Sequence, residues 1–154
     1  VIRRGSSERI VDATDYFVGP EVDITRMTVL RPGDLLTTIR IPATWSGARF
    51  YFEKVRDREV WDFPLVNVAS AIRETGGRIE EARIVVGAVA ARPLRLQAVE
   101  EALAGQPINA QTIARAGELA VDGAEPLRYN AYKIPLTRNL VQRAVRGGPL
   151  PESA

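Results

Sequence analysis

The chain has 154 residues, 45% of them hydrophobic and 26% charged, with a formal net charge of +2. This is enough apolar content for a core of single-domain size, and too little net charge to steer the protein onto nucleic acid or a membrane surface. There is no cysteine and no histidine, which excludes disulfides, thiolate nucleophiles, cysteine-ligated iron–sulfur clusters, histidine-ligated zinc and histidine acid–base chemistry from this chain. No apolar run reaches the roughly 18 residues of a membrane helix. The first nine residues lack the apolar middle of a signal peptide, and Val1 is not an initiator methionine.

In chain order, residues 8–12 (E-R-I-V-D) read as a short strand, followed by a turn with an aromatic anchor from Thr14 to Pro20. A short apolar piece, Met27 to Leu30, leads to an R-P-G-D turn at Arg31 to Asp34. Leu35 to Pro42 (L-L-T-T-I-R-I-P) alternates with β-branched residues and predicts a strand ending at the proline, with a loop to Gly47 after it.

Residues 49–56 predict the next strand, and Phe50 to Val55 alternates. Lys54 shares a face with Phe50 and Phe52, so its ammonium must leave the sheet edge or meet an acceptor. The strand runs into a loop in which Lys54, Arg56, Asp57, Arg58, Glu59, Trp61 and Asp62 are crowded together. Such a loop can hold an anionic or aromatic ligand; as composition alone, self-paired charges on a solvated turn are the plainer reading.

Val66 to Arg73 predicts a second strand, Thr75 to Arg78 a hairpin with Gly-Gly at its centre, and Glu81 to Ala90 a third strand that is near-continuously apolar and therefore central. Short links between the three imply an antiparallel meander. The period then changes. Leu96, Val99 and Leu103 recur at helical spacing up to Gly105. Asn109 reads as an N-cap for a helix carrying Ile113, Ala116, Ala120 and Val121, which Gly123 ends. Pro135 fits a first helical position, and Leu136, Leu140, Val141, Ala144 and Val145 form an apolar stripe up to Gly147 and Gly148. Residues from Pro149 onward read as a disordered tail. Strands followed by a block of helices imply an α+β fold with the helices on one face of the sheet.

No G-x-G-x-x-G or Walker-type phosphate loop is present. The glycines read as turn and cap residues, Glu80 and Glu81 as solvated carboxylates, and Arg92 as structural. Only the stretch from Lys54 to Asp62 gathers several functional side chains at a strand end.

The order of motifs resembles a known family. D-Y-F-V-G-P from Asp15, T-V-L-R-P-G-D-L-L-T-T-I-R-I-P from Thr28, F-E-K-V-R-D-R from Phe52 and W-D-F-P-L-V-N-V-A from Trp61 occur in sequence. G-G-R-I from Gly76, V-G-A-V-A-A-R-P from Val86 and A-E-P-L-R-Y-N-A-Y-K-I-P-L from Ala124 follow. The set resembles the FAD-binding subunit of molybdenum hydroxylases, the xanthine dehydrogenase, aldehyde oxidoreductase and carbon monoxide dehydrogenase family. W-D-F-P and N-A-Y-K are most similar to bacterial members in which this subunit is a separate medium chain.

The resemblance implies that residues 1–47 are the end of an incomplete FAD-binding domain. Residues 48–147 become the C-terminal domain, a three-stranded antiparallel sheet with a helical bundle, and 148–154 a disordered tail. Members are nearly twice as long, and their N-terminal half carries glycine-rich loops around the FAD pyrophosphate. Nothing here matches those loops, which implies a C-terminal fragment or one of two pieces of a split subunit. Some bacterial members hold an iron–sulfur cluster in that half; a chain without cysteine holds none.

Carried over by position, Leu36 falls where the family packs an aliphatic side chain against the flavin, and Lys54 falls on a lysine that contacts FAD. Arg58, Trp61 and Asp62 fall on the segment that approaches the isoalloxazine ring. None of them breaks bonds. The implied cofactor is FAD, with its site incomplete in this chain. The implied partners are a molybdenum-cofactor large subunit, a two-cluster iron–sulfur small subunit and the missing N-terminal FAD-binding half, with no nucleic acid and no membrane span. Electrons would pass from the molybdenum cofactor through the clusters to FAD and an external acceptor. The expected compartment is the cytoplasm, or the periplasm by export with a partner chain. The chain alone is expected to be inactive. The rival reading is a non-catalytic α+β module that binds protein or RNA.

Overall fold

Alternation decides the layout of the larger part of the chain. In the computed structural model, which describes residues 1–148, Val66, Val68, Ser70 and Ile72 are buried while Asn67, Ala69, Ala71 and Arg73 between them are not. Period-two burial of this kind is that of a sheet covered on one face only. The expected tail of 148–154 lies outside the described residues, Gly148 apart.

The chain divides into two compact units, Val1–Ser46 and Gly47–Ala154. The first holds a three-stranded antiparallel sheet in the order β2-β1-β3, from β1 (Ile2–Arg4), β2 (Ser7–Arg9) and β3 (Leu35–Leu36). A single-turn helix α1 (Ala13–Tyr16) forms where a turn is expected, because the Asp12 side chain accepts from Thr14 N at 3.0 Å and caps it. The strand predicted to run to Pro42 is shorter. Thr37 N donates to Val1 O and the Val1 amino group to Thr38 O, after which Ile39 and Ile41 are exposed.

The second unit holds β4 (Arg49–Val55), β5 (Val66–Thr75), β6 (Arg78–Gly87) and β7 (Leu94–Arg95), antiparallel in the order β4-β5-β6-β7. Three long strands form the expected meander, and the two-residue β7 is added at the edge of β6. Gly76 and Gly77 join β5 to β6 with φ of +59° and +75°, left-handed values that the two-residue hairpin turn requires. β6 starts and stops three residues earlier than the sequence predicts, because the hairpin pairs Thr75 with Arg78 and Ala88 turns the chain with φ of +63°.

Of three helices, α2 (Gln97–Leu103) packs on β6 and α4 (Lys133–Arg146) on β5, covering the even-numbered face, and α3 (Ala110–Leu119) packs against both helices. Asn109 caps α3 as predicted, its Oδ1 accepting from Thr112 N at 2.9 Å. Pro135 is the third helical residue rather than the first; its missing N–H is still harmless there, since the first-turn N–H groups have no intrahelical partner. The core joins Val66, Val68, Ile72, Ile79, Ile84 and Val86 of the sheet to Val99, Leu103, Ala116, Leu140, Val141 and Val145 of the helices.

Charged side chains fasten these layers. The Glu100 carboxylate on α2 is buried, accepts from Ile84 N at 3.0 Å and is gripped by Arg95 at 2.7 Å. Arg49 on β4 donates to Ala144 O and Val145 O, the unpaired carbonyls at the C-terminus of α4. Glu53 accepts from Tyr51 Oη at 2.5 Å and from Arg143 Nη1 at 2.6 Å. Burial, then the hydrogen bond and charge of Glu53, push the Tyr51 phenol up to about 12, so it stays protonated as a donor. Among the described residues no helix is long and apolar enough to cross a membrane.

Leu140 is 1% exposed within this core. Leu140→Ala is expected to lower unfolding free energy by about 2–5 kcal/mol in urea denaturation of the chain. Leu127→Ala, at an exposed side chain, is expected to change it by less than about 0.5 kcal/mol.

Candidate functional site: the bare sheet face and the Lys54–Asp62 loop

The helices leave the other face of the second unit's sheet uncovered. Phe50 and Phe52 point from β4 onto that face, 62% and 64% exposed, opposite Ala71 and Ala69 of β5. Lys54 is next on the same face, opposite Asn67. As an edge strand, β4 lets the lysine reach past the sheet, and the ammonium finds an acceptor: Nζ donates to Asp62 O at 3.1 Å. Three N–H groups belong to an ammonium, and this contact uses one.

The loop after β4 is tied on itself. Asp62 N donates to Val60 O at 2.7 Å. The Asp62 carboxylate, 16% exposed, accepts from Arg58 Nε at 3.0 Å, from Arg58 Nη2 at 3.2 Å and from Phe63 N at 3.1 Å. The Arg58 hydrogen bonds hold its pKa below the usual carboxylate range, against partial desolvation, with help from the Phe63 N–H and the Lys54 charge. Arg56 Nε donates to Arg58 O at 3.0 Å. With the chain turned this way, Trp61 is fully exposed, and Val60 and Phe63 beside it are largely exposed.

The structure thus brings Lys54, Arg58 and Asp62 together by direct hydrogen bonds and leaves Trp61 at the tip of the same loop. Asp62 is occupied from both sides, its carbonyl by Lys54 and its carboxylate by Arg58. It shapes the loop and offers no free charge to a ligand. Arg58 lends its guanidinium to that carboxylate. Lys54, Trp61 and the neighbouring phenyl rings are the groups with free donors or faces. Leu36 belongs to the first unit. It lies on β3, 40% exposed, and lines an apolar cavity of about 550 Å³ with Ile10, Phe17, Ile39 and Pro42.

This donor set suits the edge of a flat, carbonyl-bearing heterocycle better than a phosphate. Residues 56–64 include no glycine and open no helix, so the backbone N–H nest that a pyrophosphate needs is not formed there. An ammonium, an indole and phenyl faces suit the carbonyl-bearing edge and the plane of a flavin ring.

Other motif residues have structural roles. The lysine of N-A-Y-K, Lys133, donates to Ala88 O at 2.6 Å and holds the chain reversal after β6. Asn130 Oδ1 accepts from Leu127 N at 2.6 Å. Sequence reading did not single out Asn67 or Gly87, which the register places in one row with Lys54 across β4, β5 and β6. The signals in the sequence are a polar residue between Val66 and Val68 and the presence of both residues in the motifs quoted above.

Comparison with known proteins identifies relatives of this chain. The medium chain of carbon monoxide dehydrogenase from Hydrogenophaga pseudoflava is 28% identical over 149 residues, 94% of this chain and 50% of that one. The FAD-binding subunit of an aldehyde oxidoreductase from Escherichia coli is 29% identical, over 84% of this chain and 37% of that one. The crystal structure of quinoline 2-oxidoreductase from Pseudomonas putida 86 superposes with a TM-score of 0.75 at 30% identity, over 94% of this chain and 50% of that chain. The chain thus spans half or less of the length of these relatives. Residues 50–147, almost the whole second unit, match the domain family described as the CO dehydrogenase flavoprotein C-terminal domain, and the chain belongs to that family.

Proposed function

We propose that the chain is part of the FAD-binding medium subunit of a molybdenum hydroxylase. Its second unit supplies a ring-side wall of the flavin site, and its first unit belongs to the FAD-binding domain. The observation that carries this is Lys54. It is a lysine on the bare sheet face, fixed through one hydrogen bond to Asp62 O, with two N–H groups left over among the described residues, at the base of a loop that exposes a tryptophan. Membership of a flavoprotein domain family favours this reading over a module that binds protein or RNA.

In the complete enzyme, electrons would pass from a molybdenum cofactor on a large subunit, through iron–sulfur clusters on a small subunit, to FAD and an external acceptor. Bound FAD supplies the electron-transfer chemistry, and the side chains here set its surroundings. The Lys54 ammonium stabilises negative charge at the pyrimidine edge of the ring and so raises the reduction potential. Trp61 offers a flat apolar surface. Arg58 and Asp62 neutralise each other and hold the loop in shape, which keeps an uncompensated carboxylate away from the ring. In the first unit, Leu36 and its apolar cavity are suited to an aliphatic contact with the cofactor.

Three outcomes check this reading. The chain alone takes up FAD weakly, and visible flavin absorbance at full stoichiometry appears only when an N-terminal FAD-binding half is supplied. Tight stoichiometric FAD on the isolated chain contradicts the assignment. In the reassembled subunit, Lys54→Ala weakens FAD by roughly 10- to 100-fold, the range for a hydrogen bond to a charged group, and lowers the flavin potential with unchanged circular dichroism. Unchanged affinity and potential remove Lys54 from the site.

The third outcome is a pH dependence. The folded-state pKa of Asp62 is depressed below its unfolded value, so its ordering of the loop is fully present above about pH 4 and lost as pH falls through the depressed pKa. Trp61 emission in a Trp45→Phe background is expected to report that acid transition, and Asp62→Asn to abolish it.

A further inference from the structure

On the bare face of the second unit, Lys54, Asn67 and Gly87 occupy one cross-strand row of β4, β5 and β6. The Asn67 side chain lies flat over Gly87, where a Cβ would collide with Asn67 Oδ1. The glycine therefore leaves space that the amide fills. That Oδ1 is buried and has no hydrogen-bond partner, and Nδ2 donates to none of the described residues. An enclosed amide oxygen without a partner opposes folding. A small apolar residue at position 67 would pack against Gly87 and Ala69 without that cost. Stability alone therefore gives no reason for asparagine here, whereas a ligand does. The Oδ1 lies against Gly87, the Nδ2 has no acceptor among the described residues, and Lys54 is the cross-strand neighbour on β4.

We infer that Asn67 is a further ligand-contacting residue of this face, its Nδ2 donating a hydrogen bond to a carbonyl oxygen on the pyrimidine edge of a flavin ring beside Lys54. This rests on the flavin reading above and extends it from a charged loop to the sheet itself. The chemistry matches: a ring edge bearing carbonyl oxygens accepts one hydrogen bond from an ammonium and another from a neutral amide on the adjacent strand.

The test uses the whole 154-residue chain, labelled with ¹⁵N and titrated with FMN at millimolar concentration, since FMN carries the same ring. The Asn67 amide pair is identified as the signal lost in Asn67→Ala. The expected result is that this pair shifts together with the Trp61 indole N–H and the backbone amides around Lys54. Asn67→Ala then binds FMN roughly 3- to 10-fold more weakly, as for loss of one neutral hydrogen bond, while its thermal midpoint without FMN is no lower than that of the wild type.

Shifts at Trp61 and Lys54, with the Asn67 pair unmoved and affinity unchanged in Asn67→Ala, would overturn the role of Asn67 and leave the flavin reading standing. A lower thermal midpoint in Asn67→Ala with unchanged FMN affinity overturns it too, by making the residue structural. No shift anywhere on this face overturns both readings together.

Discussion

The second unit depends on a sheet that is apolar on one face and mixed on the other. β5 and β6 bury every even-numbered aliphatic residue from Val66 to Ile72 and from Ala82 to Val86 beneath three helices. Each fully buried valine, isoleucine or leucine contributes about 1.5–3 kcal/mol of transfer free energy. A one-residue slip would send the whole set to solvent, which makes the register strongly specified. The same alternation forces Phe50, Phe52, Lys54 and Asn67 onto the bare face. Their placement follows directly from core packing.

An edge strand with two exposed phenylalanines is prone to fray or to pair with other chains. β4 is instead held from the helix side. Arg49 reaches the last carbonyls of α4, and Glu53 joins Tyr51 to Arg143. These contacts fix the strand from which Lys54 projects and leave the bare face clear. The structure thus separates two kinds of charge on one strand: odd-numbered residues that fasten it to the helices, and Lys54 on the face with Phe50 and Phe52.

The charged loop is open to two readings in the sequence. Self-pairing does occur, since Arg58 and Asp62 form a two-point contact and Lys54 takes a backbone carbonyl. That pairing shapes the loop and leaves Trp61 at its tip. The charges satisfy each other while the aromatic side chain stays exposed. Much of this was legible: the strand with its lysine, the Gly-Gly hairpin, the Asn109 cap and the apolar stripe of α4 are local patterns. The first unit was less legible. The alternation of Leu35 to Pro42 reports residues suited to a strand but says nothing about which strand pairs with it, here β1 at Leu35 and Leu36.

By itself the sequence determined the α+β class, the meander, the helical stripes and the segment in which charged side chains gather, because all of these follow from spacing within a few residues. Only the tertiary structure decided which partner each charge takes. Arg143 meets Glu53 from 90 positions away, and Lys133 meets Ala88 from 45. It also placed Asn67 between Lys54 and Gly87 with its amide unpaired. Local spacing separates the two faces of a strand, but it cannot say which face the helices will cover or what the neighbouring strand will set beside it.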